Sequence, residues 1–153
     1  MLTIGQTAPL LTLPCDGGGS WSLAAQRPSR VLVTFYAQDS TPTCTNQLMD
    51  FNALLPDLTA AGVVLIGISK DKVAAHDRFK AKMGIGFPLG SDQGGQVMED
   101  WQAFGEKLFF GKRVQGVLRR TVLIDGAGKV AAIWTVDRVK GHAADVLAAV
   151  TQM

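Results

Sequence analysis

An apolar, largely β-branched run from Val31 to Tyr36 stops at the polar stretch Gln38 to Thr43, and beyond it the periodicity changes. The run has the character of a buried strand, bounded by a turn. After the turn Leu48, Phe51, Leu55 and Leu58 recur at helical spacing, so a helix is expected to begin near Thr43, with Cys44 in its first turn. The unpaired N–H groups and positive dipole end of a helix start favour an anion, here a thiolate. A free cysteine, with a pKa near about 8.5, is only a few per cent ionised at neutral pH. The dipole contributes roughly 0.3 to 2 kcal/mol, against about 1.4 kcal/mol per pKa unit, and so lowers the pKa by about one unit. A strongly reactive thiol needs more, and a partly buried arginine could supply it.

The rest of the chain repeats this alternation. Val63 to Ser69 is a second apolar run, and Asp71 opens a helical segment in which Ala75, Phe79 and Met83 share a face. Strand, helix, strand, helix implies an α/β domain with a parallel sheet and right-handed crossovers. Ahead of it, Leu10 to Leu13 and Ser20 to Leu23 flank the turn-rich Pro14 to Gly19 and predict a hairpin. Pro56 is expected to kink the first helix or to start a short second one at Leu55. Phe87 to Leu89 is a short extended piece entering the turn Gly90 to Gly95, and Val97, Trp101 and Phe104 suggest a short helix. Thr121 to Asp125 and Val130 to Val136 predict a hairpin around Gly126 to Gly128, and Asp145 to Val150 a closing helix.

With 153 residues, 47% of them hydrophobic, the chain is long enough for a single domain, 1–153, with a sizeable core. A formal charge of +2 creates no field that calls for nucleic acid, an anionic membrane or an acidic substrate. The basic residues between Lys107 and Arg120 read as a solvated face, since no nucleic-acid recognition motif accompanies them. Two distant cysteines make no disulfide framework, and no zinc-ligand spacing is present. His76 and His142 stand alone and are expected at the surface, Trp21, Trp101 and Trp134 in or near the core. No metal or cofactor is expected. Neither a secretory leader nor a run long enough to span a bilayer is apparent, which points to the cytoplasm.

The segment Thr41-Pro42-Thr43-Cys44-Thr45, between a strand and a helix, resembles the peroxidatic site of peroxiredoxins. The stretch from Phe104 to Trp134 is similar in order and spacing to the C-terminal half of the peroxiredoxin Q group, also called bacterioferritin comigratory protein. Gly86-Phe87-Pro88-Leu89 and Ser91-Asp92 resemble its middle turn. The resemblance covers nearly the whole chain. It implies a thioredoxin-like fold with an N-terminal hairpin and a central mixed sheet flanked by helices. It also implies a thiol-dependent peroxidase acting on hydrogen peroxide and organic hydroperoxides, with Cys44, Thr41 and Arg119 as catalytic residues. Arg119 fits the family's arginine just ahead of a late strand; Arg120 is its neighbour, sent to the opposite face by strand alternation. The family further implies a monomer or weak homodimer.

Two positions depart from the family. Its loop proline is replaced by Ala37, and its resolving cysteine five residues after the peroxidatic one by Met49. Other relatives carry that cysteine on the next helix, but none lies between Asp71 and Met83. Cys15 is the only internal candidate, in a hairpin turn that nothing in the sequence brings near Cys44. The expected cycle therefore uses one cysteine, its sulfenic acid being reduced by an external thiol such as thioredoxin or glutaredoxin/glutathione. The alternative is a non-catalytic thiol redox sensor or interaction module on the same fold. A thioredoxin-type oxidoreductase would need a second cysteine where Gln47 stands. Ala37 predicts a sulfenic acid more open to further oxidation, so Ala37→Pro should lower over-oxidation in a peroxide titration followed by mass spectrometry. Identical over-oxidation in both proteins would contradict this.

Overall fold

The structure, a computed structural model, describes residues 2–153. Its centre is a five-stranded sheet in the order β5-β4-β3-β8-β9. Strands β3 (Arg30–Phe35), β4 (Val63–Ser69) and β5 (Leu89–Ser91) run parallel; β8 (Arg120–Ile124) lies antiparallel to β3, and β9 (Val130–Thr135) antiparallel to β8. Helix α1 (Pro42–Ala53) follows β3, and α2 (Leu55–Ala60) and α3 (Val73–Met83) flank β4. This is the expected thioredoxin-like arrangement, with a mixed sheet flanked by helices. Pro56 does start a second helix, at a site where its missing N–H costs nothing.

Alternation along the central strands sorts their side chains onto two faces. Leu32, Leu65 and Leu123 enter one cluster with Leu48 and Phe51 of α1, Leu58, Phe79, and Val146 and Val150 of α5 (His142–Thr151). Val31, Val33, Ile66, Ile68, Val122 and Ile124 enter the other. That face is covered by the hairpin β1 (Thr12–Pro14) and β2 (Ser20–Ser22), which supplies Leu13 and Trp21, and by α4 (Gln96–Asp100), with Trp101 just beyond it. The N-terminal hairpin is thus a lid that turns an otherwise wet sheet face into core.

Several expectations need correction. His76 and His142 are both buried, not superficial. His76 lies on the inner face of α3 and His142 opens α5 three residues earlier than Asp145, so each ring enters the protein and finds hydrogen-bond partners there. The helix containing Val97 ends at Asp100, and Phe104 instead begins β6 (Phe104–Phe109), which pairs with β7 (Lys112–Val117). The basic segment is therefore a hairpin with exposed Lys112 and Arg113, and its tip displays Phe110 at 91% exposure. Trp21 and Trp101 are buried, as expected, and Trp134 is partly buried.

Gly90, in β5, is where the hairpin meets the sheet. A β-carbon there would lie 2.5 Å from Leu13 Cδ1 and 3.3 Å from Ile68 Cγ1, both in the core. Gly90→Ala should therefore destabilise the protein by about 1 to 3 kcal/mol through overpacking, measured by urea denaturation. An unchanged midpoint would contradict the tight seating of the hairpin.

Candidate active site

Helix α1 begins at the carboxyl end of β3, after a loop of residues 36–41. Thr41 is its N-cap, in extended conformation at φ −79° and ψ 148°, and Pro42 occupies the first turn, where no N–H is required. The first helical hydrogen bond runs from Thr45 N–H to Thr41 O at 2.8 Å. Cys44 is thus in the first turn, one residue later in the helix than the expected start at Thr43 would give. Cys44, Gln47, Leu48 and Phe51 form the buried face of α1 at spacings of three and four. Gln47 is the one uncharged amide in that apolar stripe.

Arg119 lies just ahead of β8, its carbonyl accepting from Val136 N–H at 2.8 Å. Its Nη1 stands 3.2 Å from Cys44 Sγ and also donates to Gln47 Oε1 at 2.9 Å. Gln47 Nε2 donates in turn to Thr34 Oγ1 at 2.8 Å and Phe35 O at 3.3 Å. Thr34 Oγ1 lies 2.9 Å from Thr121 Oγ1, which lies 2.9 Å from His142 Nε2. A buried polar chain therefore runs from the thiol across β3 and β8 to the start of α5. Arg119, not Arg120, makes the thiol contact, so a residue 75 positions away supplies the cation.

The Thr41 hydroxyl donates to Gln38 O at 3.0 Å and adjoins the sulfur. Burial pushes the Cys44 thiol up, but the adjacent Thr41 hydroxyl and Gln38 backbone, with the hydrogen bond and charge of Arg119, outweigh it. The net pKa is below the ordinary cysteine value. Cys44 is 1% exposed, beneath the partly exposed Ala37, Thr41 and Arg119. Its sulfur is bedded in polar groups, not sealed in hydrocarbon.

Asp39 anchors the loop from below. Its Oδ1 accepts from Tyr36 OH at 2.6 Å, its Oδ2 lies 2.7 Å from His76 Nδ1, and its N–H donates to Asp71 Oδ2 at 2.9 Å. Asp71 Oδ2 also accepts from Ser69 Oγ at 2.6 Å. Ligand atoms of Asp39, Asp71 and His76 come within 4.8 Å of one another, but these hydrogen bonds already occupy them. Sequence reasoning did not single out Gln47 for this role, or Asp39. A glutamine three residues after Cys44 on a buried helical face was the available signal for the first; for Asp39 there was none.

Cys15 belongs elsewhere. It packs against the core on the hairpin side of the sheet and bridges to Gly90, whereas Cys44 is part of the cluster on the opposite side. Burial and the charge of Asp16, only partly offset by Lys80, push the Cys15 thiol up.

A cysteine at a helix start, paired with an arginine just ahead of the neighbouring strand of a thioredoxin-like sheet, defines a fold built around one activated thiol. Relatives agree with that class. The sequence model of the AhpC/TSA family matches residues 4–133, and the chain belongs to that family, in its peroxiredoxin Q or bacterioferritin comigratory protein group. Peroxiredoxin Bcp of Xanthomonas campestris pv. campestris is 42% identical over 139 residues, 91% of this chain and 87% of that protein. Structures of Xanthomonas campestris bacterioferritin comigratory protein, described as trapped intermediate and ligand complexes bearing on its alkyl peroxide reduction activity, align at a TM-score of 0.88. They share 38% identity and cover 96% of this chain and 98% of that one. A cysteine-to-serine mutant of Xylella fastidiosa PrxQ aligns at a TM-score of 0.92 with 29% identity, covering 99% of this chain and 97% of that one.

Removing the cation or its support should raise the Cys44 pKa. Arg119→Met should raise it more than Gln47→Leu, since the latter leaves the charge but frees it to move. Thiolate ultraviolet absorbance against pH measures both. The folded-state pKa lies below that of the unfolded chain, so this contribution to stability is full above the unfolded value and is lost as pH falls through the folded one. An unshifted titration in Arg119→Met would contradict the assignment.

Proposed function

We propose that the protein is a thiol-dependent peroxidase that reduces hydrogen peroxide and organic hydroperoxides through Cys44. The observation that carries this reading is the 3.2 Å approach of Arg119 Nη1 to Cys44 Sγ at a helix start. The thiolate electron pair attacks the terminal peroxide oxygen, the O–O bond breaks, and the departing oxide takes a proton to leave as water or alcohol. Cys44 is left as a sulfenic acid. Full ionisation raises the nucleophile population only about thirtyfold from a few per cent. The larger share of the rate must come from holding the O–O bond in line and stabilising charge on the leaving oxygen. Arg119 has further N–H groups for that charge, and the Thr41 hydroxyl stands beside the attacked oxygen.

Regeneration by an external thiol is supported by the placement of the two cysteines on opposite faces of the sheet. A bridge needs α-carbons within about 7 Å. One external thiol attacks the sulfenic sulfur, forming a mixed disulfide and releasing water; a second attacks the external sulfur of that disulfide, forming the reductant's disulfide and releasing Cys44 as thiolate. Thioredoxin or glutaredoxin/glutathione is the proposed class of reductant, a reducing cytoplasm the proposed setting, and a monomer or weak homodimer the proposed state. Among the described residues no helix is long and apolar enough to cross a membrane.

Steady-state peroxide consumption, with thioredoxin and glutathione systems supplied separately, tests the reading. Wild type and Cys15→Ser should turn over alike and Cys44→Ser should not. One stoichiometric oxidation without turnover would instead mark a thiol sensor. Loss of turnover in Cys15→Ser, with a Cys15–Cys44 disulfide after one equivalent of peroxide, would overturn the one-cysteine cycle.

A further inference from the structure

Below the loop that carries Thr41 lies a buried pair of charged groups that the peroxide reaction does not consume. His76 is 0% exposed, and each of its ring nitrogens meets an acceptor: Nδ1 the Asp39 carboxylate at 2.7 Å, Nε2 the Gly90 carbonyl at 3.0 Å. A neutral imidazole has one N–H and would leave a lone pair facing a lone pair at the other contact. Facing an ionised Asp39, only the imidazolium satisfies both. Asp39 shares this burial, with its side chain 5% exposed. It also takes the Tyr36 hydroxyl and gives its own N–H to Asp71, so one residue ties the loop to the end of β3, the exit of β4, α3 and, through His76, β5.

The tie matters because of its neighbours. Gln38, one residue before Asp39, presents its backbone to the Cys44 sulfur, where it helps lower the thiol pKa, and its carbonyl accepts from the Thr41 hydroxyl. Ser40, one residue after, is held at φ 67°, a left-handed conformation that a residue with a β-carbon keeps only when its surroundings enforce it. We propose that the His76 imidazolium and the Asp39 carboxylate form a charge-dependent clasp that positions the Gln38–Thr41 loop against Cys44. This makes both of them positioning residues of the thiol site. The proposal rests on the reading of Cys44 as the thiol that peroxide oxidises.

Asp39 from the loop, Asp71 after β4 and the Gly90 carbonyl from β5 favour the charge of His76, and the neutral Tyr36 hydroxyl from the end of β3 also faces it. Burial opposes the charge, but Asp39, Gly90 and Asp71 outweigh it and raise the pKa above the ordinary histidine value. The clasp is therefore closed below that raised value and opens as pH rises through it. Ionisation of Cys44 alone would give a rate that climbs with pH and then levels. The clasp adds a fall on the alkaline side.

Two measurements on the full chain test this. NMR titration of the His76 ring should give a midpoint above the ordinary value of about 6.5, and Asp39→Asn should lower it. His142, whose pKa burial pushes down against the charge of Asp145, titrates separately as an internal comparison. Stopped-flow tryptophan fluorescence should show Cys44 oxidation by hydrogen peroxide falling roughly tenfold beyond its maximum, as misplacement of catalytic groups does. The midpoint of that fall should match that of His76, and in Asp39→Asn it should move to lower pH. A His76 midpoint at or below the ordinary value, or a rate plateau without a fall, overturns the clasp. If peroxide fails to oxidise the wild type at any pH, the peroxidase reading fails while the clasp stays testable. Amide exchange at 38–41 then decides it: protection lost above the His76 midpoint supports the clasp, and unchanged protection sinks it. Because the wild-type arms are sufficient, an Asp39→Asn variant that does not fold leaves the test intact.

Discussion

One contact, from the Arg119 guanidinium to the Cys44 sulfur, organises the chemistry and much of the fold around it. It joins residues 75 positions apart, and it forms only when β8 pairs with β3 in register and α1 packs on that same sheet. A buried thiol without it would be pushed toward the neutral, unreactive form, because burial is the largest single influence on Cys44 and acts against ionisation. The protein overcomes that influence with several directed donors in place of one strong one. A cation that donates to the sulfur, with a hydroxyl and a backbone segment beside it, surrounds one atom that solvent scarcely touches.

That convergence requires rigid support, and the two sides of the thiol are supported differently. On the arginine side the support is neutral: Gln47 fixes the guanidinium and is itself fixed by Thr34, with Thr121 and His142 continuing the hydrogen bonds across the sheet. Burial holds His142 toward its neutral form, which suits a chain made of dipoles. On the loop side the support is ionic, through Asp39 and His76. Paired charges are costly to bury, and they persist where breaking the pair would leave one charge uncompensated. The geometry of the thiol thus depends on a dipolar network that is neutral above the lowered pKa of His142 and on an ion pair that opens as pH rises.

Much of this was legible in the residues. The β3–α1 and β4–α3 alternation follows from apolar runs and helical spacing, and the break at Pro56 from its missing N–H. Thr41, Cys44 and Arg119 came from motif likeness, and the structure does bring all three together. What escaped was what depends on tertiary context. The β6–β7 hairpin is rich in Lys and Arg and lies apart from the five-stranded sheet, so its strands lack the apolar alternation of core strands. The two histidines have no local signature of burial, because their partners come from other elements: Asp39 and Gly90 for His76, Thr121 for His142. Gln47 was visible only as a residue that is not cysteine. Its value lies in an amide that accepts from Arg119 with one end and donates to Thr34 with the other.

The account holds that Cys44 is both ionised and aimed: the charge makes the thiolate available, and the surrounding donors favour attack on an O–O bond over attack on other electrophiles. Comparing two single-turnover rates of the same sulfur, with hydrogen peroxide and with iodoacetamide, separates these contributions. An aimed thiolate should exceed a free thiolate with peroxide by several orders of magnitude while alkylating no faster than one. Equal enhancement toward both reagents, or toward neither, would contradict it.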